Sequence, residues 1–145
     1  MKKIMLLLVF AFLGIGCMWA QSLPFKDAGS RLGRILQVEV TGSNSVPVIF
    51  KRGTHQIFTV KFSVNQDILN YRFKAYAIFD GTPVPVPGAQ PIGLTTPFKA
   101  GSDHSYLLRI DTQQTAPKIT FIMRFILESD KGEVIVAFDI QVKVK

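Results

Sequence analysis

His55 and His104 are the only histidines in this 145-residue chain, and neither has a His or Cys partner at a spacing that would chelate a metal. Ser102-Asp103-His104 sets three triad residue types side by side. Neighbouring residues of an extended segment point to opposite faces, so these three cannot form the relay in which an acid orients a histidine that deprotonates a serine. Asp27, Asp80 and Asp139 are isolated acids rather than a paired set of carboxylates. No glycine-rich phosphate loop and no nucleophile elbow is present. The residues therefore predict no catalytic group, no metal and no cofactor, and the chain reads as a protein that is not an enzyme.

The elements that carry these residues are strands. Leu36, Val38 and Val40 alternate with Gln37, Glu39 and Thr41, and Phe58, Val60, Phe62 and Val64 alternate with Thr59, Lys61 and Ser63. Phe73, Ala75, Ala77 and Phe79 share one parity against Arg72 and Lys74, and Ile119, Phe121, Met123, Phe125 and Leu127 share one against Thr120 and Arg124. The last run sets Val134, Val136, Phe138, Ile140, Val142 and Val144 against Asp139, Gln141 and Lys143. A period of two predicts antiparallel strands with one buried and one wet face. Two further strands are predicted near Val46–Phe50 and His104–Asp111. Turn-forming clusters at 41–45, 51–53, 65–67 and 129–132 separate these runs, and no window sustains helical periodicity. About seven strands with short turns predict an all-β, immunoglobulin-like two-sheet β-sandwich. The segment Thr82-Pro83-Val84-Pro85-Val86-Pro87-Gly88 is too rich in proline for a central strand. It is expected to be an extended edge segment, either a rigid loop or a lip along one opening between the sheets.

Lys2 and Lys3 precede an apolar run from Ile4 to Gly16 that closes on Cys17, Met18, Trp19 and Ala20. This order describes a secretory signal peptide, in a run too short to span a bilayer stably. Residues 1–20 are expected to be removed, leaving one domain, 21–145, destined for the extracellular space or the endolysosomal lumen. An acylated Cys17 is the alternative, disfavoured by Gly14 where lipoprotein signals carry Leu. Removal leaves 15 basic against 10 acidic residues, a net charge of about +5. The basic residues are scattered and accompany no nucleic-acid motif, so no nucleic-acid partner is expected. Transient contact with anionic membranes is compatible with that charge. Cys17 is the chain's one cysteine, so the mature domain is expected to hold together without disulfides, as a monomer packed around ten phenylalanines.

Four motifs in order give a resemblance. Phe25-Lys26-Asp27-Ala28-Gly29-Ser30 resembles the F-K-D-C-G-S opening of the lipid-recognition (ML) domain family, whose members include sterol carriers and mite allergens. Gly81 to Pro87 resembles a G-V-P-V-P-F-P segment of its sterol carriers, Lys99 to Leu107 resembles K-D-K-T-Y-S-Y-L, and Phe138 to Val142 resembles the last strand. The resemblance spans the mature chain with one short gap near Leu94–Thr96. The family typically carries six cysteines in three bridges. The matching positions here are Ala28 with Ala137, Ser43 with Val48, and Leu94 with Thr96, so the framework is lost as a set.

The resemblance implies an internal apolar cavity that takes a lipid or other small hydrophobic ligand. By position its lining would be Phe58, Val60, Phe62, Phe73, Phe79, Val84, Val86, Ile110, Ile119, Phe121, Met123, Phe125 and Phe138. From alternation alone, these residues would equally pack a solid core. Val86 stands where the sterol carriers have Phe, and Ala116 where they have Tyr, which implies a wider or differently shaped cavity and leaves sterol, fatty acid or a related lipid open. The function expected is a secreted lipid-binding or transfer protein; a secreted adhesion or receptor-binding module with a solid core is the alternative. Val84 and Val86 are expected to face the Phe121, Met123 and Phe125 stripe.

Overall fold

The computed structural model describes residues 22–145, so the stretch read as a signal peptide lies outside the described residues. Each alternating run becomes a strand. In chain order the strands are β1 (Lys26–Asp27), β2 (Gly33–Val40), β3 (Val48–Phe50), β4 (His55–Val64), β5 (Tyr71–Phe79), β6 (Thr82–Pro85), β7 (Pro91–Ile92), β8 (Asp103–Asp111), β9 (Thr120–Ser129) and β10 (Val134–Val144). No helix occurs among the described residues. One sheet runs β1-β10-β9-β5-β6 with β3 also alongside β10; the other runs β2-β4-β8-β7. All pairings are antiparallel except β3 with β10. The two sheets lie face to face as an immunoglobulin-like β-sandwich.

Two places depart from simple alternation. The register of β2 against β4 shifts between Ile35 and Gln37. This bulge turns Ile35 into the core and leaves Leu36 only half-buried, which corrects the expectation that Leu36 shares the inner face with Val38 and Val40. A second shift lies between Val134 and Val136, where Ile135, Val136, Ala137 and Phe138 are buried in succession. An extra residue in one strand reverses the faces that follow it.

The proline-rich segment is an edge strand. Ile78 pairs with Pro83 and Ala77 with Val84, and Asp80-Gly81 closes the hairpin with φ of 48° and 78°. Two consecutive left-handed residues make a type I′ turn, whose twist matches that of the flanking strands; Asp-Gly suits it because glycine carries no Cβ and aspartate tolerates this region. The prolines cost the sheet nothing here, since the far edge of β6 has no neighbouring strand to receive an N–H.

The opening F-K-D-A-G-S motif latches the chain start onto β10. Phe25 packs edge-on against Phe138 at 6.0 Å, and Lys26 and Asp27 pair with Asp139 and Phe138. The Asp27 carboxylate accepts hydrogen bonds from the Gly29 and Ser30 N–H groups, both at 2.9 Å. Gly29 adopts φ 111°, a region L side chains rarely enter. The Ser30 hydroxyl then accepts from the Ala137 N–H at 3.0 Å and donates to its carbonyl at 3.3 Å.

Candidate functional site

The inner faces follow from parity. On β4, Phe58, Val60 and Phe62 are fully buried, and on β8 Tyr106, Leu108 and Ile110 are buried beside them. On the facing sheet Phe138, Phe125 and Ala75 lie in one row, and Ile140, Met123, Ala77 and Val84 in the next. Ring contacts between Phe73 and Tyr106 (6.2 Å) and between Phe125 and Phe58 (5.6 Å) fix how the sheets overlie. Continuing along β9 and β8 from these contacts places Met123 and Phe121 at the Ile110 end.

The expected lining residues all have inner parity, but they separate into two groups. Phe58, Phe62, Phe73, Phe125 and Phe138 belong to one chain of ring contacts, with Val60 between the β4 rings. It runs from Phe25 through Phe138, Phe125, Phe73, Tyr106, Phe62 and Phe98 to Tyr71, with Phe58 and Phe50 branching off at Phe125. This half of the interior is packed. Of the second group, Phe79, Phe121 and Ile119 lie at the end where β5 stops and β9 starts, and Val84 and Val86 lie along the β6 edge beside Ala77 and Ala75; Met123 stands between the groups and Ile110 is buried on β8.

Exposure rises steadily toward the corner where that end meets that edge. Toward the start of β9 it goes from 2% at Met123 through half-buried Phe121 to 38% at Ile119, just before the strand. From β5 to β6 it goes from 8% at Ala77 to 44% at its partner Val84. Val86 hydrogen-bonds from its N–H to the Ala75 carbonyl at 2.9 Å, and it packs half-buried against the core. The inner face of this sheet therefore opens to solvent at its β5–β6 edge.

Val84 and Val86 do not face the Phe121, Met123 and Phe125 stripe, contrary to expectation. β6 joins β9 through β5 in a single sheet, so lip and stripe lie side by side and the opposite wall is β8 with β7. Ala75 and Ala77 also have inner parity, between Phe73 and Phe79 on β5, and both are buried. An apolar depression of about 300 Å³ lies elsewhere, lined by Pro24, Phe25, Val46, Ile122 and Ile140 with Lys26, Asp139 and Gln141. It contains none of the expected lining residues.

Asp103 is exposed while His104 turns inward between Phe62 (5.6 Å) and Phe98 (4.9 Å), so Ser102-Asp103-His104 forms no relay. Arg124 makes a two-pronged bond to Asp139, at 2.7 and 2.8 Å, on the outer face, and this bond raises the arginine's affinity for its proton. Burial pushes the Tyr106 phenol up, so it stays neutral. No group of His, Cys, Asp and Glu among the described residues is arranged to hold a metal.

Comparison with known proteins returns the same two-sheet fold. The ML domain family model matches residues 22–144. The chain belongs to the ML domain family. It is 26% identical over 129 residues to mouse NPC intracellular cholesterol transporter 2, covering 86% of this chain and 87% of the mouse protein. It is 27% identical over 116 residues to the mite group 2 allergen Lep d 2 of Lepidoglyphus destructor, covering 78% and 81%. A crystal structure of a Niemann-Pick type C2 protein from the Japanese carpenter ant superimposes with a TM-score of 0.77 at 20% identity, covering 84% of this chain and 99% of the ant chain. No cysteine lies among the described residues. Two of the positions matched to the family's cysteines, Ala28 and Ala137, nonetheless stand opposite each other, joined by an N–H to carbonyl bond of 2.9 Å.

Proposed function

We propose that this ML domain is an exported lipid carrier whose ligand enters at the open β5–β6 corner and lies between the sheets over Ala75 and Ala77. The observation that carries the reading is the gradient of exposure along the inner face, which marks a way into an apolar interior. The walls beside it are Val86, Met123 and Ile110. Burial of a ligand's chain there drives affinity at roughly 0.8 kcal/mol per CH₂. The name of the mouse relative, a cholesterol transporter, supports a lipid ligand, and the basic and apolar stretch from Lys2 to Ala20 supports export. With a net charge of about +5 after cleavage, transient contact of a monomer with anionic membranes fits the same reading.

The test is direct. Purified mature protein should carry lipid identifiable by mass spectrometry of an organic extract, and should take up a fluorescent fatty acid or sterol. Val86→Trp should weaken uptake while the fold is kept, because a position at an opening tolerates added bulk better than the deep core. No lipid in the extract, no uptake of either probe and no effect of Val86→Trp would mean a solid core. An adhesive or receptor-binding module would then be the better reading.

A further inference from the structure

Phe79 and Phe121 stand apart from every other phenylalanine of the described residues. Their rings touch each other, with centroids 5.1 Å apart and planes at 39°, while all the others belong to the continuous network of ring contacts. They project from adjacent strands, as Ile78 pairs with Ile122 one step before them. Both are half-buried, lying between the sealed row of Met123 and Ala77 and the exposed strand ends at Ile119 and Asp80. The pair thus occupies the throat between solvent and interior. Behind it on β5 stand the small, buried side chains of Ala77 and Ala75.

We infer that the Phe79–Phe121 pair sets the width of this throat and selects a flexible single-chain acyl amphiphile over a fused-ring sterol. The inference rests on the interior lipid site proposed above. An acyl chain is one methylene wide and rotates about every bond, so it passes when either ring turns about its side-chain torsions. A sterol is a rigid plate that enters only if both rings move aside together, and that separates the one aromatic contact each ring makes. The ring network beyond Ala75, from Phe125 to Phe73 and Tyr106, limits width at the inner end in the same way. Smaller groups at Val86 and Ala116 widen the perimeter without removing the two rings at its centre.

The experiment measures binding of a fluorescent long-chain fatty acid and a fluorescent sterol to the mature wild type, to Phe79→Val, to Phe121→Leu and to the double variant. Each variant's melting temperature is recorded first. Wild type should prefer the fatty acid at least about tenfold, the low end of what an apolar pocket achieves by shape. Each single variant should narrow that ratio by gaining sterol affinity, and the double variant should bring it near unity. If the double variant does not fold, the single variants and the wild-type ratio carry the test. A wild type that binds sterol as well as fatty acid, or a preference that survives trimming of both rings, overturns the inference while leaving the carrier reading standing. Failure of both probes to bind wild type overturns the carrier reading itself and this inference with it.

Discussion

Asp27 shows how one residue can hold the start of a sandwich in place. Partial burial opposes ionisation of its carboxyl, but the Ser30 side chain and the Gly29 and Ser30 N–H groups together outweigh it and hold the pKa below the ordinary 3.8. The folded state therefore binds this proton less readily than the unfolded chain does. The bonds' contribution is complete at neutral pH and is lost as pH falls through the folded-state value. Asp27→Asn should flatten the decline of the melting temperature in strong acid relative to wild type, and Asp27→Ala should lower stability by about 1 kcal/mol at pH 7. A steeper acid decline in Asp27→Asn would show that the carboxylate is not the group responsible. At the other extreme of burial, Phe125 contacts Phe58, Phe73 and Phe138. Phe125→Ala should cost about 3–5 kcal/mol in denaturant unfolding, a loss that reports packing rather than ligand.

At the scale of elements, most strands were legible because one-sided burial writes a period of two into them, as in β4, β8 and β9. The bulge at Leu36 was not, since an inserted residue leaves both faces apolar in the sequence: Ile35, Leu36 and Val38 read equally well in either register. β6 was legible as extended but not as paired. Asp80-Gly81 was the overlooked clue, as Asp-Gly between two extended runs is itself a hairpin signal. β1 and β7, two residues each, carry too little pattern to be seen at all. The site was legible only as parity. Alternation says which side chains point inward, whereas the division between packed ring network and open corner depends on which strands end together. Strand pairing also yields a prediction about the chain ends. The antiparallel register that pairs Lys26 with Asp139 brings Ala28 opposite Ala137. Ala28→Cys with Ala137→Cys should therefore oxidise spontaneously, as opposed side chains of antiparallel strands approach the roughly 3.5–4.5 Å Cβ separation a disulfide requires. Closing so long a loop should add about 2–4 kcal/mol. Two free thiols persisting in the folded double mutant would contradict the β1–β10 register.

The proposed division of the interior between packing and ligand binding should show in the stability of the whole molecule. No cysteine lies beyond Cys17, so reducing agent should leave the melting temperature of residues 21–145 unchanged, and the ring network from Phe25 to Tyr71 must supply the rigidity. A ligand that binds only the folded state adds stability of RT ln(1 + [L]/Kd), about 2.7 kcal/mol at a hundred times Kd. Saturating fatty acid should accordingly raise the melting temperature by several degrees. If the packed half and the open corner are separate, two variants should split this behaviour. Phe125→Ala, deep in the network, should melt far earlier than wild type yet still gain a comparable increment from ligand. Val86→Trp, at the corner, should melt close to wild type and lose most of the increment. Calorimetric scans of the three proteins with and without fatty acid measure both quantities at once. Loss of the increment in Phe125→Ala together with its survival in Val86→Trp would place the ligand inside the ring network, and the corner between β5 and β6 would then be only an edge.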